Sequence, residues 1–193
     1  MPTSPQAGAA PQATDDQVRG AASAPDFDST YFRRALSQFA TGVTVITGHS
    51  GLAATGGPAF VGVTASSFNS VSLDPPLVLW SLATKANSLP VFRNGSHYVI
   101  NVLSAAQVDL CKRFSTLHGD RFAGLDYQLS EHGLPVLHEA LAWFECHNRS
   151  RYDEGDHVIF VGEVERCGIH DAAGAPLVFQ AGQFGTLQLL ASN

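Results

Sequence analysis

Charge is scarce in this chain of 193 residues: Asp, Glu, Lys and Arg together make up only 15%. What charge there is leans acidic, with 11 basic against 17 acidic side chains and a net charge of -6. Nucleic acid requires an excess of Lys and Arg to displace its counterions, so it is excluded as an expected partner. A surface short of charge suits burial against another subunit, and a homodimer is expected. Cysteine is also sparse. Cys111, Cys146 and Cys167 form no CxxC and leave an odd count, which excludes a disulfide framework or a zinc knuckle. No apolar run approaches the roughly 18 residues that span a bilayer, so no membrane partner is expected. The opening stretch, Met1 to Gln17, lacks the basic and apolar regions of a signal peptide. A cytoplasmic location is the default expectation.

Several catalytic signatures are missing as well. No G-x-G-x-x-G follows a strand pattern, no Walker A run occurs, and no G-x-S-x-G elbow is present. His138-Glu139 begins like a zinc-protease motif, but the position four past His138 is Ala142. The eight histidines are scattered, with His132 and His138 the nearest suggestive pair, and no metal site is expected.

What is present is a large apolar fraction, 45%, enough for one domain with a real core. Residues 1–26 are rich in Ala, Pro, Gln, Gly and Ser without apolar periodicity and read as a disordered tail, leaving residues 27–193 as the domain. Tyr31, Phe32, Ala35, Leu36, Phe39 and Ala40 recur at helical spacing, capped by Asp28 or Ser29 and ended by Thr41-Gly42. Strand patterns follow at 43–47, 59–65, 77–82 and 98–103, with a Gly-rich loop at 48–58. A short helix is expected over Asn87 to Phe92 and another over Ala105 to Phe114. Residues 142–152 and 157–167 form a long hairpin around Asp153-Glu154-Gly155-Asp156, and 176–179 and 184–190 supply closing strands. Many strands, Gly-rich turns and two or three short helices predict a mainly β barrel or sandwich rather than a βαβ sheet.

Three stretches carry candidate chemistry. In Gly62 to Pro76, five hydroxyl side chains and an amide crowd one strand end and turn between two apolar strands. Such a polar knot is satisfied either by its own backbone, as an ordinary connection, or by a ligand. A flavin suits it: the isoalloxazine ring is flat and largely apolar, and its edge takes neutral hydrogen bonds without the desolvation cost of charge. Ser66 and Ser67 adjoin, so on a strand only one points its side chain at such a ring. The second stretch, Ser81 to Ser88, leaves a strand and enters a short helix. There Lys85, Asn87 and Ser88 either complete a phosphate site at a helix N-terminus or merely cap the helix. The third, Glu154-Gly155-Asp156-His157, is either a hairpin turn and nothing more or a turn that sets His157 at the mouth of a cavity, able to touch a nicotinamide.

Taken together, Ala40-Thr41-Gly42-Val43-Thr44-Val45, Gly62 to Phe68, Ser70 to Pro76, Asn101-Val102-Leu103, Glu145-Cys146 and Gly155-Asp156-His157 with Gly162-Glu163-Val164 resemble the flavin reductase-like family. These are the reductase components of two-component flavin-dependent monooxygenases. The resemblance runs from about Phe32 to Leu187. It implies a Greek-key split β-barrel and a homodimer that reduces FMN or FAD with NADH or NADPH. Reduced flavin would then diffuse to a partner monooxygenase. It also implies ribityl and ring contacts from Thr64, Ala65, Ser66 and Ser67, ribityl and phosphate contacts from Ser81, Ala83, Asn87 and Ser88, a wall at Phe114, and His157 beside the nicotinamide; Val63, next to Thr64, and Lys85 from the second stretch complete the candidate flavin-binding set. One departure is Gln180-Ala181-Gly182-Gln183-Phe184, where many members carry a tyrosine and often an arginine. A ring remains at Phe184 without hydroxyl or charge. The rival expectations are an oxidase of similar fold that retains its flavin, a non-catalytic flavin- or haem-binding module, and an interaction protein whose polar knot is only a turn.

Overall fold

The computed structural model describes residues 24–52, 58–116, 119–171 and 174–188. The expected tail lies almost wholly outside the described residues, as do 53–57 of the Gly-rich loop and 189–190 of the last expected strand. In chain order the elements are α1 (Ser29–Leu36), β1 (Thr41–Gly42), β2 (Thr44–Leu52), β3 (Pro58–Ala65), β4 (Asn69–Leu73), β5 (Pro76–Ala83), α2 (Leu89–Asn94) and β6 (His97–Val102). A 3₁₀ turn at Ala105–Gln107 then leads into α3 (Val108–Ser115), followed by β7 (Tyr127–Leu129), β8 (Pro135–Leu137), β9 (Ala142–Glu154), β10 (His157–Ile169), β11 (Val178–Gln180) and β12 (Gln183–Gly185).

Seven strands form one antiparallel sheet in the order β3-β2-β6-β9-β10-β5-β4. Its two edge strands, β3 and β4, are consecutive in sequence and joined only by Ser66-Ser67-Phe68. So short a link forces the sheet to curl until its edges meet, which makes a split barrel. Strand alternation fills it. Along β5, Val78, Trp80 and Leu82 point inward, and Tyr98, Ile100, Cys146, Val158 and Phe160 join them. Trp80 stacks on Phe160 at 4.6 Å and meets Phe92 and Tyr98 edge-on. A second apolar cluster lies outside the sheet, where Cys111 and Phe114 of α3 pack with Val43, Val45, Leu103, Leu137 and Leu177. β7 and β8 form a small hairpin in which Leu134, just before β8, and Val136, within it, pack with Val99 of β6. No helix among the described residues is long and apolar enough to cross a membrane.

The mainly β expectation holds, with corrections in detail. Thr41-Gly42 does not end α1. The helix stops at Leu36, tightens through Gln38 N–H to Ala35 O and Phe39 N–H to Leu36 O, and Thr41-Gly42 becomes β1, paired with Phe179 and Val178 of β11. Asp28 is the cap, accepting from Tyr31 N–H at 2.7 Å. The polar run 69–73 is strand β4 rather than a plain connection, and the β7–β8 hairpin lacked a sequence signal. The long hairpin turns on Gly155-Asp156 alone, with Glu154 opposite His157 and Gly155 at φ +59°.

Candidate functional site

The β3–β4 link and the end of β5 form one corner of the barrel. Ser66 and Ser67 lie just past the end of β3, not on it as the alternation argument assumed. The Ser67 hydroxyl accepts from Ser81 N–H (2.9 Å) and donates to Ser81 O (3.2 Å), pinning the link to β5. Thr64 Oγ1 donates to Cys111 O at 2.7 Å and fastens α3 to β3. Ala65 turns its methyl into the core, and its carbonyl already accepts from Thr44 Oγ1, so it offers a ligand little beyond its backbone N–H. Much of the polar knot is therefore satisfied internally, which the sequence left open.

Two adjoining hollows open at this corner. One, of about 220 Å³, is bordered by Val63, Thr64, Asn87, Ser88, Phe114 and Arg121. The other, of about 190 Å³, lies among Thr64, Ser66, Cys111, Phe179 and Phe184. Both include Thr64 and Ser115. Neither alone reaches the roughly 300–1,000 Å³ usual for a small-molecule site, but joined they do. Aromatic and aliphatic walls with hydroxyl and amide groups at the rim fit the flat, neutral ring system expected from the sequence. Phe114 is almost wholly buried and forms the floor where Gly62 lets it approach β3, since a Cβ at Gly62 would overlap the Phe114 ring.

Of the expected residues, Val63, Thr64, Asn87, Ser88 and Phe114 share the first hollow, and Ser66 joins Thr64 in the second. Ser67, Ser81, Ala83, Lys85 and His157 line neither, and form the adjacent strand end. Ala83 pairs directly with His157 across β5 and β10. Asp156 O receives both Thr84 N–H (2.9 Å) and Thr84 Oγ1 (3.1 Å), locking the hairpin turn to the end of β5. His157 is exposed, and its Nδ1 lies 2.7 Å from Asp156 Oδ1. That hydrogen bond, then the imidazole charge and more weakly Lys85, holds the Asp156 carboxyl below the usual carboxylate range.

The phosphate expectation at α2 needs correction. The helix has six residues, Leu89 N–H donates to Ala86 O, Pro90 has no N–H, and Val91 and Phe92 both donate to Ser88 O. An anion at this corner would meet the side chains of Lys85, Asn87 and Ser88 rather than a free helix terminus. Sequence reasoning missed Arg121, Ser115 and Thr116. Arg121 Nη1 donates to Gly62 O (2.8 Å) and Phe114 O (3.3 Å), capping an edge carbonyl of β3 and bringing a positive charge to the first hollow. Nothing in the local sequence around Arg121 distinguishes it from a loop arginine. His132 and His138, the suggestive pair, are not partners: His138 faces Asp126 (3.5 Å), while His132 stacks on His97.

Known proteins of similar sequence and fold identify the family. FMN reductase (NADH) SmoA of Agrobacterium fabrum is 47% identical over 158 residues, covering 82% of this chain and 86% of the relative. The HsaB reductase subunit of a flavin-dependent monooxygenase of Mycobacterium tuberculosis is 35% identical over 159 residues, 81% of each chain. Some relatives are longer, and this chain spans only 43% and 53% of two of them. Among solved structures, the Streptomyces globisporus NADH:FAD oxidoreductase SgcE6, in complex with NAD and FAD fragments, superposes with a TM-score of 0.78 at 33% identity, over 86% of this chain and 96% of that one. The family model described as flavin reductase like domain matches residues 36–188, and the chain belongs to that family.

Proposed function

We propose that the chain is an NAD(P)H:flavin oxidoreductase that reduces FMN or FAD and supplies the reduced flavin to a partner monooxygenase. The observation that carries this reading is the pair of hollows that share Thr64 and Ser115 beside the β3–β4 link, with the exposed His157 paired to Ala83 at the end of β5. Flavin and nicotinamide supply the chemistry when bound: a hydride passes from the nicotinamide ring to the flavin, with no protein acid or base required.

The chain's own residues bind and orient. Val63 and Phe114 give the ring an apolar bed, and the Thr64 and Ser66 hydroxyls with the backbone of Ala65 and Ser67 offer neutral polar contacts along its edge. Ser81, Ala83, Lys85, Asn87 and Ser88 receive the ribityl and phosphate side, with Arg121 adding charge. With the Asp156 carboxylate accepting from Nδ1–H, His157 keeps Nε2 free to position the nicotinamide. Orientation of this kind is worth several kcal/mol without any covalent step. A site of mostly neutral donors favours exchangeable binding, which suits a flavin that leaves after reduction. The named roles of the relatives support the monooxygenase partner.

A homodimer fits the surface of α1. No residue of this helix is buried, and Tyr31, Phe32 and Leu36, followed by Phe39, present a continuous apolar face to solvent.

The test is loss of reduced-nicotinamide absorbance with purified protein, NADH or NADPH, and added FMN or FAD. Oxidation that depends on free flavin is expected, and the four combinations give both preferences. A yellow protein that resists dialysis and ignores NAD(P)H would overturn the reading in favour of a retained-flavin protein.

A further inference from the structure

On the outer face of the barrel, away from the hollows, three strands and one turn bring histidines and carboxylates together. His97 begins β6 and shares the outward face of Val99. His147 of β9 stands opposite it in register. The turn between β7 and β8, held down by Leu134 and Val136 on Val99, lays His132 over this face. Its ring stacks on that of His97 at 3.7 Å and 14°. Glu165 is the extra residue of a bulge in β10, where pairing slips between Val164 and Arg166. Bulges re-aim side chains, and this one brings Glu165 Oε2 to 3.3 Å from His97 Nε2 and 3.9 Å from His132 Nδ1.

Charge at this cluster is unbalanced. Arg149 pairs with Glu163 and Arg166 with Glu131, which leaves Glu165 facing only imidazoles. Behind it Glu145 is fully buried. Its Oε1 accepts from Ser130 Oγ and from His132 N–H (3.2 Å) and lies 3.2 Å from His132 Nδ1. Its Oε2 has no hydrogen-bond partner, and Arg166 Nη1 stands off at 3.6 Å. Arg166 already offsets the buried Glu145 carboxylate, whereas Glu165 meets only the imidazoles of His97 and His132, so it is the carboxylate of this cluster with no guanidinium or ammonium beside it.

We propose that His97, His132 and Glu165, backed by the Glu145 carboxylate, bind a divalent first-row transition-metal ion of the zinc type. The donor atoms of the three residues all lie within 4.8 Å of one another. Two ligands at about 2.0–2.1 Å from a tetrahedral ion are roughly 3.3–3.5 Å apart, a spacing that His97 Nε2 and Glu165 Oε2 already have at 3.3 Å, while His132, stacked on His97, must turn its ring out of the stack to share the ion. Imidazole with carboxylate selects zinc, nickel or copper over magnesium or calcium, which favour oxygen alone. The side chains of His132 and Glu165 are about one-third exposed, so an ion has a path in and water can complete its coordination. Bound there, the ion would clamp the β7–β8 turn to β6 and β10. Glu165 lies eight residues beyond His157 on the same strand, roughly 25 Å at the usual rise, so the clamp is separate from the proposed hydride site.

The test is calorimetric titration of tag-free, full-length protein with zinc chloride, paired with melting curves in zinc and in EDTA. One equivalent is expected to bind with a dissociation constant on the order of micromolar. His132→Ala and Glu165→Gln should each weaken it by about 10- to 100-fold. At a hundredfold excess over that constant the melting temperature should rise by roughly 5–10 °C. Both variants should lose this rise while melting like the parent in EDTA and oxidising NAD(P)H at the parental rate. His138→Ala, outside the cluster, should bind like the parent. No saturable uptake would overturn the proposal, as would uptake unchanged in both cluster variants, which would assign binding to scattered surface histidines.

Discussion

At single residues, the candidate site depends on two features of opposite kind. Gly62 exists to be absent: the Phe114 ring occupies the space a Cβ would need. Gly62→Ala should force the ring or α3 outward, costing about 1–3 kcal/mol by denaturant titration and weakening flavin affinity in fluorescence titrations. Parental values for both would show that Phe114 has room to yield. His157, in contrast, is exposed and contributes little to packing, so His157→Ala should leave flavin affinity unchanged and lower kcat/KM for NAD(P)H by about 10-fold. Loss of flavin binding in this variant would remove the positioning role. Its pairing with Asp156 carries a pH signature. Because the folded carboxyl titrates below its unfolded value, the pair is fully formed above the unfolded pKa and is lost only as pH falls through the lower folded one. Protonation of the Asp156 carboxyl should therefore leave the nicotinamide KM unchanged until the pH falls below the ordinary carboxylate range, and an Asp156→Ala variant should raise that KM throughout.

At the scale of elements, what the sequence revealed followed from how locally each signal was written. Strands β3, β5 and β6 are β-branched or bounded by proline and glycine, so their spans were legible to within a residue, whereas β2 runs on through Gly48 to Leu52, which had read as the start of the Gly-rich loop and become strand by pairing with β3. The end of α1 was not, because Phe39 and Ala40 continue the helical spacing while the partner that makes Thr41-Gly42 a strand lies at Val178-Phe179, far along the chain. β4 was hidden for the same reason: in Asn69 to Leu73 only Val71 and Leu73 alternate with serines, too short a pattern to stand apart from a connection, and pairing with β5 makes it a strand. The candidate site followed this division. Thr64, Ser66, Asn87 and Ser88 stood out as a polar run between apolar strands. Arg121 and the grouping of His97 with His132 arise from contacts across the fold and leave no mark in local sequence. The uncovered face of α1 permits a direct test at this scale. Replacing Phe32 and Leu36 by Asp should shift sedimentation from dimer to monomer, and a parental sedimentation profile would place the interface elsewhere.

For the whole molecule, a single aromatic stack sits at the centre. Trp80 is fully buried against Phe160, Phe92 and Tyr98, one from each of three elements besides its own. Trp80→Ala should cost about 3–5 kcal/mol, measured by chemical denaturation, and should do so without changing which flavin is preferred.

The link Ser66-Ser67-Phe68 has one more consequence. It is at once the stitch that closes the sheet and the rim of the ligand hollow, so the barrel's weakest edge and its working edge coincide. On the proposed function a flavin lodged there would act as mortar behind this link, and each release of product would loosen the joint. Amide hydrogens of β4 should exchange more slowly when flavin is present than when it is absent, whereas those of β9, walled in on both sides, should keep the same pace in either condition.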